Sequence, residues 1–306
     1  MHLPRLCKAL VGLSLLASTL SLSAQRQQNL PSDEQILKRV PDGVTFIPNI
    51  AYREGNEAWK LDLAMPKVLG RKPRPGIVFI HGGGWRNGDK RAAGFLNPTL
   101  EYAGKGYVCV TVNYRMLTGD SFAIDECVED VKNVVRWMRA NAKKYNVDPE
   151  RIGASGNSAG AHLSVMLGVC PTDAGLEGDG PYQEYSSKVQ AVAASATPTS
   201  FLISMNRRLD MANRSEEEVA FRKKISPMTY VSAEVPPILL FHELSDGTVN
   251  VKQSDLFIQA LREAGAKDVN YLLLGDGSGH GVFQKNIATT EPLREAFFER
   301  ILKPGE

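Results

Sequence analysis

The stretch that decides the fold covers residues 151–169 and reads RIGASGNSAGAHLSVMLGV. A short strand pattern at 151–155 runs into Gly156-Asn157-Ser158-Ala159-Gly160, and a helical pattern follows at once. Small residues around a serine allow a sharp turn from strand to helix, which exposes the hydroxyl at the carboxyl end of a sheet. The helix that begins there directs N–H groups and its positive dipole end toward the same place. The structural alternative is a tight turn with an incidental serine.

Strand and helix patterns alternate on both sides of this turn. Continuous apolar runs such as residues 77–80 and 238–241 are typical of strands that are buried on both faces. The first two strands are expected to pair as an antiparallel hairpin. The pattern therefore predicts an α/β fold, a doubly wound, mostly parallel eight-stranded sheet with helices on both faces. Strands are predicted at 44–53, 59–65, 76–81, 107–114, 151–155, 189–195, 237–242 and 269–274, and helices at 123–145, 158–169, 252–264 and 291–302.

Composition and the first residues define the domain organisation. The chain has 306 residues, 43% hydrophobic and 23% charged, an ordinary globular composition that excludes a disordered or fibrous protein. Residues 1–24 combine Arg5 and Lys8 with an apolar, Ser-rich run that is too short to span a membrane, which is typical of a cleavable secretory signal. We expect an exported protein, periplasmic or extracellular, with an extended tail at 25–43 and a single domain at 44–306.

The charge balance argues against two classes of partner. Loss of Arg5 and Lys8 with the signal would bring the formal charge from +2 to zero, and no basic block is long enough to track phosphates. We therefore expect no nucleic-acid partner. The charged run at 216–224 has the character of a solvated surface helix. Outside the signal no apolar stretch approaches the length of a membrane span, so we expect no stable membrane insertion after signal removal.

The cysteines give no indication of a metal site. Beyond the signal they are Cys109, Cys127 and Cys170, and their wide spacing contains no metal-binding pattern. We expect no metal and no cofactor. Cys109 lies in an apolar strand pattern and is predicted to be a small buried residue. A disulfide between Cys127 and Cys170 is left open by the sequence.

A second motif follows the strand at 76–81 and reads His81-Gly82-Gly83-Gly84-Trp85. Consecutive glycines expose backbone N–H groups and let a substrate oxygen approach closely, as an oxyanion hole requires. The glycine spacings of phosphate-binding loops do not fit this segment. Two sets of contacts are predicted: oxyanion donors at the N–H groups of Gly83, Gly84 and Ala159, and substrate contacts at Trp85 and Asn157.

A serine nucleophile needs a base. His280 lies in a glycine-rich loop after the last predicted strand, where the chain order Ser, Asp, His places the base. The structural alternative is an exposed loop histidine. The other four histidines are given other roles: His2 belongs to the signal, His81 to the glycine turn, His162 packs on the helix after Ser158, and His242 orders the loop after its strand.

The base needs an orienting acid that falls between Ser158 and His280 in the chain. Asp246 occupies the loop after the strand at 237–242, where the carboxyl ends of neighbouring strands meet. Asp276 competes from the loop of His280 itself, and Glu243 is a weaker competitor. We favour Asp246 because it alone lies in the strand-end loop that the chain order predicts.

Together these motifs resemble the α/β-hydrolase superfamily, and most closely exported esterases with H-G-G-G-W and G-x-S-A-G, namely hormone-sensitive-lipase-like, acetylxylan and feruloyl esterases. The resemblance covers about residues 45–302. It implies a serine carboxylesterase that acts through an acyl-enzyme, with Ser158, His280 and Asp246 as triad. It also implies short acetyl or feruloyl esters of plant polysaccharide, or related small esters, as substrates. One departure is Glu243, which stands where the family commonly has glycine.

Two other features bear on substrate and lid. No long lid is evident in residues 25–44, which differs from the lipase-like branch and favours the polysaccharide esterases. The segments 171–188 and 201–230 are expected to form the rim above Ser158 and to set specificity.

Alternatives from other classes stay open. Residues 158–162 also resemble the kynurenine formamidases, although Gly84 replaces the tyrosine common there, and peptidase-type domains share the triad order but usually follow a propeller. A non-catalytic binding module on the same scaffold is the third alternative. The expected partner is a small-molecule or carbohydrate ester, and the oligomeric state is left open.

Overall fold

The computed structural model describes residues 30–205 and 214–303. The predicted signal at 1–24 lies outside these residues. The chain divides into two units, Met1–Arg39 and Val40–Glu306. In the first, Asp33–Leu37 form helix α1, whose N-terminus is closed by a reciprocal capping box between Ser32 and Gln35. The expectation of an extended tail is therefore wrong at these residues, because Ser32 and Gln35 satisfy the free N–H groups of a helix start.

The second unit contains one eight-stranded sheet within the described residues, in the order β1-β2-β4-β3-β5-β6-β7-β8. β2 is antiparallel to both β1 and β4, and the remaining neighbours are parallel. The predicted hairpin and the mostly parallel, doubly wound sheet are thus confirmed. The strands are β1 Val44–Ala51, β2 Lys60–Pro66, β3 Arg74–Ile80, β4 Val108–Val112, β5 Val147–Asn157, β6 Ala191–Ser195, β7 Ile238–Glu243 and β8 Val269–Leu274.

Helices cover both faces of this sheet. Alternate residues of β3 enter separate apolar clusters. Val78 and Ile80 share one cluster with residues of the helices at 124–140, 159–169 and 252–263, whereas Ile77 and Phe79 share the other with residues of the helices at 93–104, 282–285 and 287–302. This division follows from the alternation of side chains along a strand. The helices of this unit are α2 Ala93–Gly104, α3 Ile124–Ala140, α4 Ala142–Tyr145, α5 Ala159–Val169, α6 Glu216–Lys224, α7 Lys252–Glu263, α8 Val282–Lys285 and α9 Ile287–Leu302.

The predicted helices are present with shifted ends. The segment 123–145 is divided at Asn141, and the last helix begins at Ile287 rather than 291. α2 was not predicted, since it contains Pro98 and its apolar stripe is weaker than that of α3. α6 has no buried residue, as expected of a solvated helix.

The three cysteines of this unit are buried free thiols, so the disulfide that the sequence left open is not formed. Burial raises the pKa of all three thiols, which keeps them protonated and unreactive. In residues 30–205 and 214–303, no helix combines the length and the apolarity that crossing a bilayer requires.

Candidate active site

The turn after β5 holds Ser158 in a strained backbone conformation. Its φ of 52° and ψ of −121° lie outside the regions that residues with a side chain commonly adopt. The Ser158 N–H donates to the Ser195 carbonyl at 2.9 Å, and its own carbonyl accepts from the His162 N–H at 3.0 Å. These bonds hold the strained turn, which is typical of a nucleophile presented at the carboxyl edge of a sheet.

Glycines on either side of Ser158 permit this turn because no side chain fits there. A Cβ on Gly156 would lie 2.5 Å from the Gly160 carbonyl oxygen. A Cβ on Gly160 would lie 2.6 Å from the carbonyl oxygen of His81 and closer still to that of Ile80. The start of α5 therefore packs directly on the end of β3, and the loop that follows β3 begins beside Ser158.

That loop contacts the nucleophile turn at Gly82, where a Cβ would lie 2.8 Å from the Asn157 carbonyl oxygen. Gly83 and Gly84 follow with φ of 122° and 62°, and both are exposed. Ala159 is the first residue of α5, and the N–H of a first helical residue has no partner within its helix. The three predicted oxyanion donors thus lie on two turns that touch each other.

Buried polar groups anchor both ends of the oxyanion loop, residues 81–91. At its start, the His81 ring is fully buried and stacks on Tyr114 with centroids 4.5 Å apart. At its end, Lys90 Nζ and Arg91 Nε bind the two oxygens of buried Asp62 at 2.7 and 2.9 Å. Sequence reasoning missed Asp62 and Lys90. The one signal was an acid inside the apolar pattern of β2.

Trp85 and His162 connect the same loop to the segment 201–230. Trp85 Nε1 donates to His162 Nδ1 at 3.3 Å, and His162 Nε2 donates to the Ile225 carbonyl at 2.8 Å. The Phe201 ring packs against both, with centroids 5.4 and 5.2 Å away. Burial lowers the pKa of His162 to about 4, so the ring is neutral. His162 is therefore a packing residue with satisfied nitrogens, as the sequence predicted.

The structure joins His280 to Asp246. His280 Nδ1 donates to Asp246 Oδ2 at 2.9 Å, and the other carboxylate oxygen accepts the N–H groups of Thr248 and Val249 at 2.8 and 3.0 Å. Burial opposes ionisation of Asp246, but hydrogen bonds from His242, His280 and Val249 outweigh it and hold the pKa well below its usual value. The carboxylate is therefore ionised and fixes the orientation of an imidazole that is 29% exposed.

His242 orders the acid loop, residues 244–249, as its position predicted. Its ring is fully buried, with Nδ1 2.7 Å from Ser254 Oγ and Nε2 3.0 Å from the Val249 carbonyl oxygen. Nε2 also lies 3.4 Å from Asp246 Oδ2. The loop from Asp246 to Val249 is therefore fixed from beneath by one histidine.

The two competing acids bind other groups. Asp276 is exposed and accepts the Ser278 N–H at 3.0 Å. Glu243 accepts hydrogen bonds from Ser245 and from backbone N–H groups of the His280 loop. Within the described residues neither carboxylate binds the His280 imidazole, which leaves that place to Asp246.

The nucleophile turn and the helix that follows His280 contribute to one small pocket. Its lining includes Asn157, next to Ser158, and Phe283 and Gln284 of α8. Asn157 Oδ1 is buried there without a hydrogen-bond partner among the described residues. Among the residues that the structure describes, no hydrogen bond joins Ser158 Oγ to the His280 imidazole. Catalytic bonds of this kind often tighten only when substrate binds.

Comparison with known proteins identifies the family. The family model BD-FAE matches residues 61–261. The chain belongs to the BD-FAE family. Among curated relatives of this BD-FAE member, Esterase LipC of Mycobacterium tuberculosis is 28% identical over 256 residues, which cover 77% of this chain and 60% of LipC. The chain spans 53% to 60% of the length of the first curated relatives.

Solved structures agree with the BD-FAE assignment. A truncated carbohydrate esterase from gut microbiota superposes with a TM-score of 0.73 at 25% identity, over 89% of this chain and 99% of that chain. The butyrate-bound esterase Est2 of Thermogutta terrifontis superposes with a TM-score of 0.70 at 26% identity, over 87% and 97%. The resemblance to α/β-hydrolase esterases is therefore confirmed.

Proposed function

We propose that this protein is a serine carboxylic-ester hydrolase with Ser158, His280 and Asp246 as its catalytic triad. The observation that carries the proposal is the 2.9 Å hydrogen bond between His280 and an ionised Asp246, at the sheet edge where strain exposes Ser158. The contact between the oxyanion loop and the nucleophile turn supplies the second requirement, donors beside the nucleophile. Family membership and the esterase relatives support the same chemistry.

The reaction proceeds in two steps through an acyl-enzyme. His280 Nε2 takes the proton of the Ser158 hydroxyl while Oγ bonds to the ester carbonyl carbon, and N–H groups of Gly83, Gly84 and Ala159 bind the resulting oxyanion. The imidazolium, stabilised by Asp246, gives its proton to the leaving alcohol as the ester C–O bond breaks. Water then loses a proton to the same imidazole as its oxygen bonds to the acyl carbon. The imidazolium returns this proton to Ser158 Oγ as the bond from Oγ to the acyl carbon breaks, which releases the acid and restores the serine hydroxyl.

We further propose short acyl esters as substrates, above all acetyl or feruloyl esters of plant polysaccharide. Three observations support this choice. The motifs resemble those of polysaccharide esterases, one structural relative is a carbohydrate esterase, and another was solved with butyrate bound. Export through the signal pattern at 1–24 would bring the protein to such substrates.

Replacement of the nucleophile tests the reaction. With p-nitrophenyl acetate, Ser158→Ala should lower kcat/KM by about 10⁴-fold or more. A fluorophosphonate should label the parent protein but not this variant. Ser232→Ala removes a half-buried hydroxyl outside both rim segments instead and should leave rate and labelling unchanged. Parent-like rates in Ser158→Ala would overturn the triad, and a parent protein that takes no label would favour a non-catalytic scaffold.

A substrate panel tests the finer proposal. Acetylated xylan, feruloylated oligosaccharides, p-nitrophenyl esters of rising chain length and N-formylkynurenine should be compared as substrates of one preparation. We expect the highest kcat/KM on an acetyl or feruloyl saccharide. Inactivity on both saccharide classes, with activity on simple esters, would remove the carbohydrate proposal. A preference for N-formylkynurenine would favour the amide hydrolase.

A further inference from the structure

Glu243 connects the acid loop to the base loop, residues 275–281, through one carboxylate. It ends β7, and its side chain is 1% exposed. Oε2 accepts the N–H and the hydroxyl of Ser245 at 2.8 and 2.5 Å, on the acid-loop side. On the base-loop side, Oε2 accepts the N–H of Gly279 at 3.0 Å and Oε1 accepts that of Gly277 at 3.2 Å. Gly279 directly precedes His280.

This carboxylate is held without a cation. In residues 30–205 and 214–303, Glu243 forms no ion pair, and an isolated buried carboxylate is costly unless hydrogen bonds satisfy it. Hydrogen bonds from Ser245, Gly277 and Gly279 satisfy both oxygens and hold the pKa of Glu243 below its usual value. A buried acid with this set of donors therefore binds the two loops as an anion, as backbone N–H groups bind anions elsewhere.

The base loop needs such an anchor. Gly277 and Gly279 adopt φ of 76° and 61°, and glycines give a loop little rigidity of their own. Glu243 pairs with Leu274 at the end of β8, so its side chain stands where the base loop leaves the sheet. A second bond, from Lys285 Nζ to the Ser278 carbonyl at 2.8 Å, ties the same loop to α8.

We propose that Glu243 is a positioning residue for the catalytic base. By holding the amides of the base loop against the acid loop, it fixes the distance over which His280 reaches Asp246. This inference deepens the proposed function and rests on it. Glu243 itself does not bind the imidazole. The glycine that related esterases commonly have here could not make these bonds.

Glu243→Gln tests the proposal because it keeps the volume but turns one acceptor oxygen into an NH₂ group that faces N–H donors. On p-nitrophenyl acetate we expect kcat to fall about 10- to 100-fold, because small misplacements of catalytic groups have effects of this size. KM should stay within about twofold of the parent. Glu243→Ala should lower kcat further, because it removes both acceptor oxygens. Glu243→Asp keeps a carboxylate and should recover part of the lost kcat. Asp276→Asn is the matched control in the same loop. It is exposed, keeps an acceptor for Ser278, and should stay within about twofold of the parent.

A second readout separates positioning from general stability and from the proposed reaction. In ¹H NMR, the His280 Nδ1 proton that is shared with Asp246 should give a downfield resonance in the parent and in Asp276→Asn. In Glu243→Gln this resonance should broaden or vanish. Urea unfolding of the same variant should give a midpoint close to that of the parent, which would show that the protein is still stably folded. If Glu243→Gln retains both kcat and the resonance, the positioning role is wrong. If the resonance responds as expected but the parent hydrolyses no ester, the proposed function fails, and what stands is that Glu243 holds His280 on Asp246.

Discussion

Replacing His162 by glutamine should change how the stability of the protein depends on pH. In the folded chain this ring is fully buried, accepts a hydrogen bond from Trp85 and donates one to the Ile225 carbonyl, so a second ring proton has no acceptor. Burial accordingly lowers its pKa from 6.5 to about 4. In the unfolded chain the histidine returns to an ordinary pKa of about 6.5.

The sign and size of the effect follow from these two values. Between pH 6.5 and 4 the unfolded chain binds a proton that the folded chain does not bind, so the free energy of unfolding falls as the pH falls. The linkage relation gives a loss of about 2 kcal/mol between pH 7.5 and 5 and about 3 kcal/mol by pH 4. Above about pH 7.5 both states leave this histidine neutral, so it contributes no slope there.

Urea unfolding followed by tryptophan fluorescence at pH 7.5 and pH 5 measures the effect. Carboxylates titrate in parent and His162→Gln alike, so they cancel when the two pH-dependent losses are subtracted. The parent should lose about 2 kcal/mol more than the variant. Near-ultraviolet circular dichroism at pH 7.5 checks that the variant keeps its native packing. Equal losses in parent and variant would show that His162 is not the buried neutral group described above.

Two further predictions concern the nucleophile turn and the acid. Gly160→Ala should lower kcat/KM about 10²-fold or more because the new Cβ would push α5 away from the carbonyl oxygens of Ile80 and His81. In Gly247→Ala no atom lies within 4 Å of the added carbon, so kcat/KM should stay within about twofold of the parent. If Gly160→Ala and Gly247→Ala had equal kcat/KM, the packing argument would be refuted. Asp246→Asn places an NH₂ group against the imidazole and should lower kcat about 10⁴-fold. A decrease in kcat of less than tenfold would contradict the role of Asp246 as the orienting acid.

The strands could be predicted because each carries its own signal. Continuous apolar runs in β3 and β7 require burial on both faces, which only a covered parallel sheet provides. Strand ends were less predictable. β5 begins at Val147, four residues before the predicted start, where Arg74 on β3 pairs with it. A partner so distant in the chain leaves no local pattern.

The chemistry of the candidate site was also readable from local motifs, but its supports were not. The turn around Ser158 and the glycines at 82–84 have required spacings, whereas the contact of Asp62 with Lys90 depends on where the loop after β3 returns to the sheet. Glu243 was considered only as a catalytic acid. Its actual partners on the base loop follow from the parallel register of β7 and β8, which the sequence does not specify.

Rigidity in this site therefore comes from residues outside the motifs. The amides of Gly83 and Gly84, expected to bind the oxyanion, and the imidazole expected to act as base lie in glycine-rich loops, which would be mobile if left alone. Each loop is tied down by a buried polar group: the oxyanion loop by Asp62 and by the bond from Trp85 to His162, and the base loop by Glu243. Such bonds hold reacting groups in the geometry that catalysis needs before substrate arrives. A chain with every motif intact but Glu243 replaced would still carry the signature of an esterase, and its rate would show how much of catalysis the signature omits.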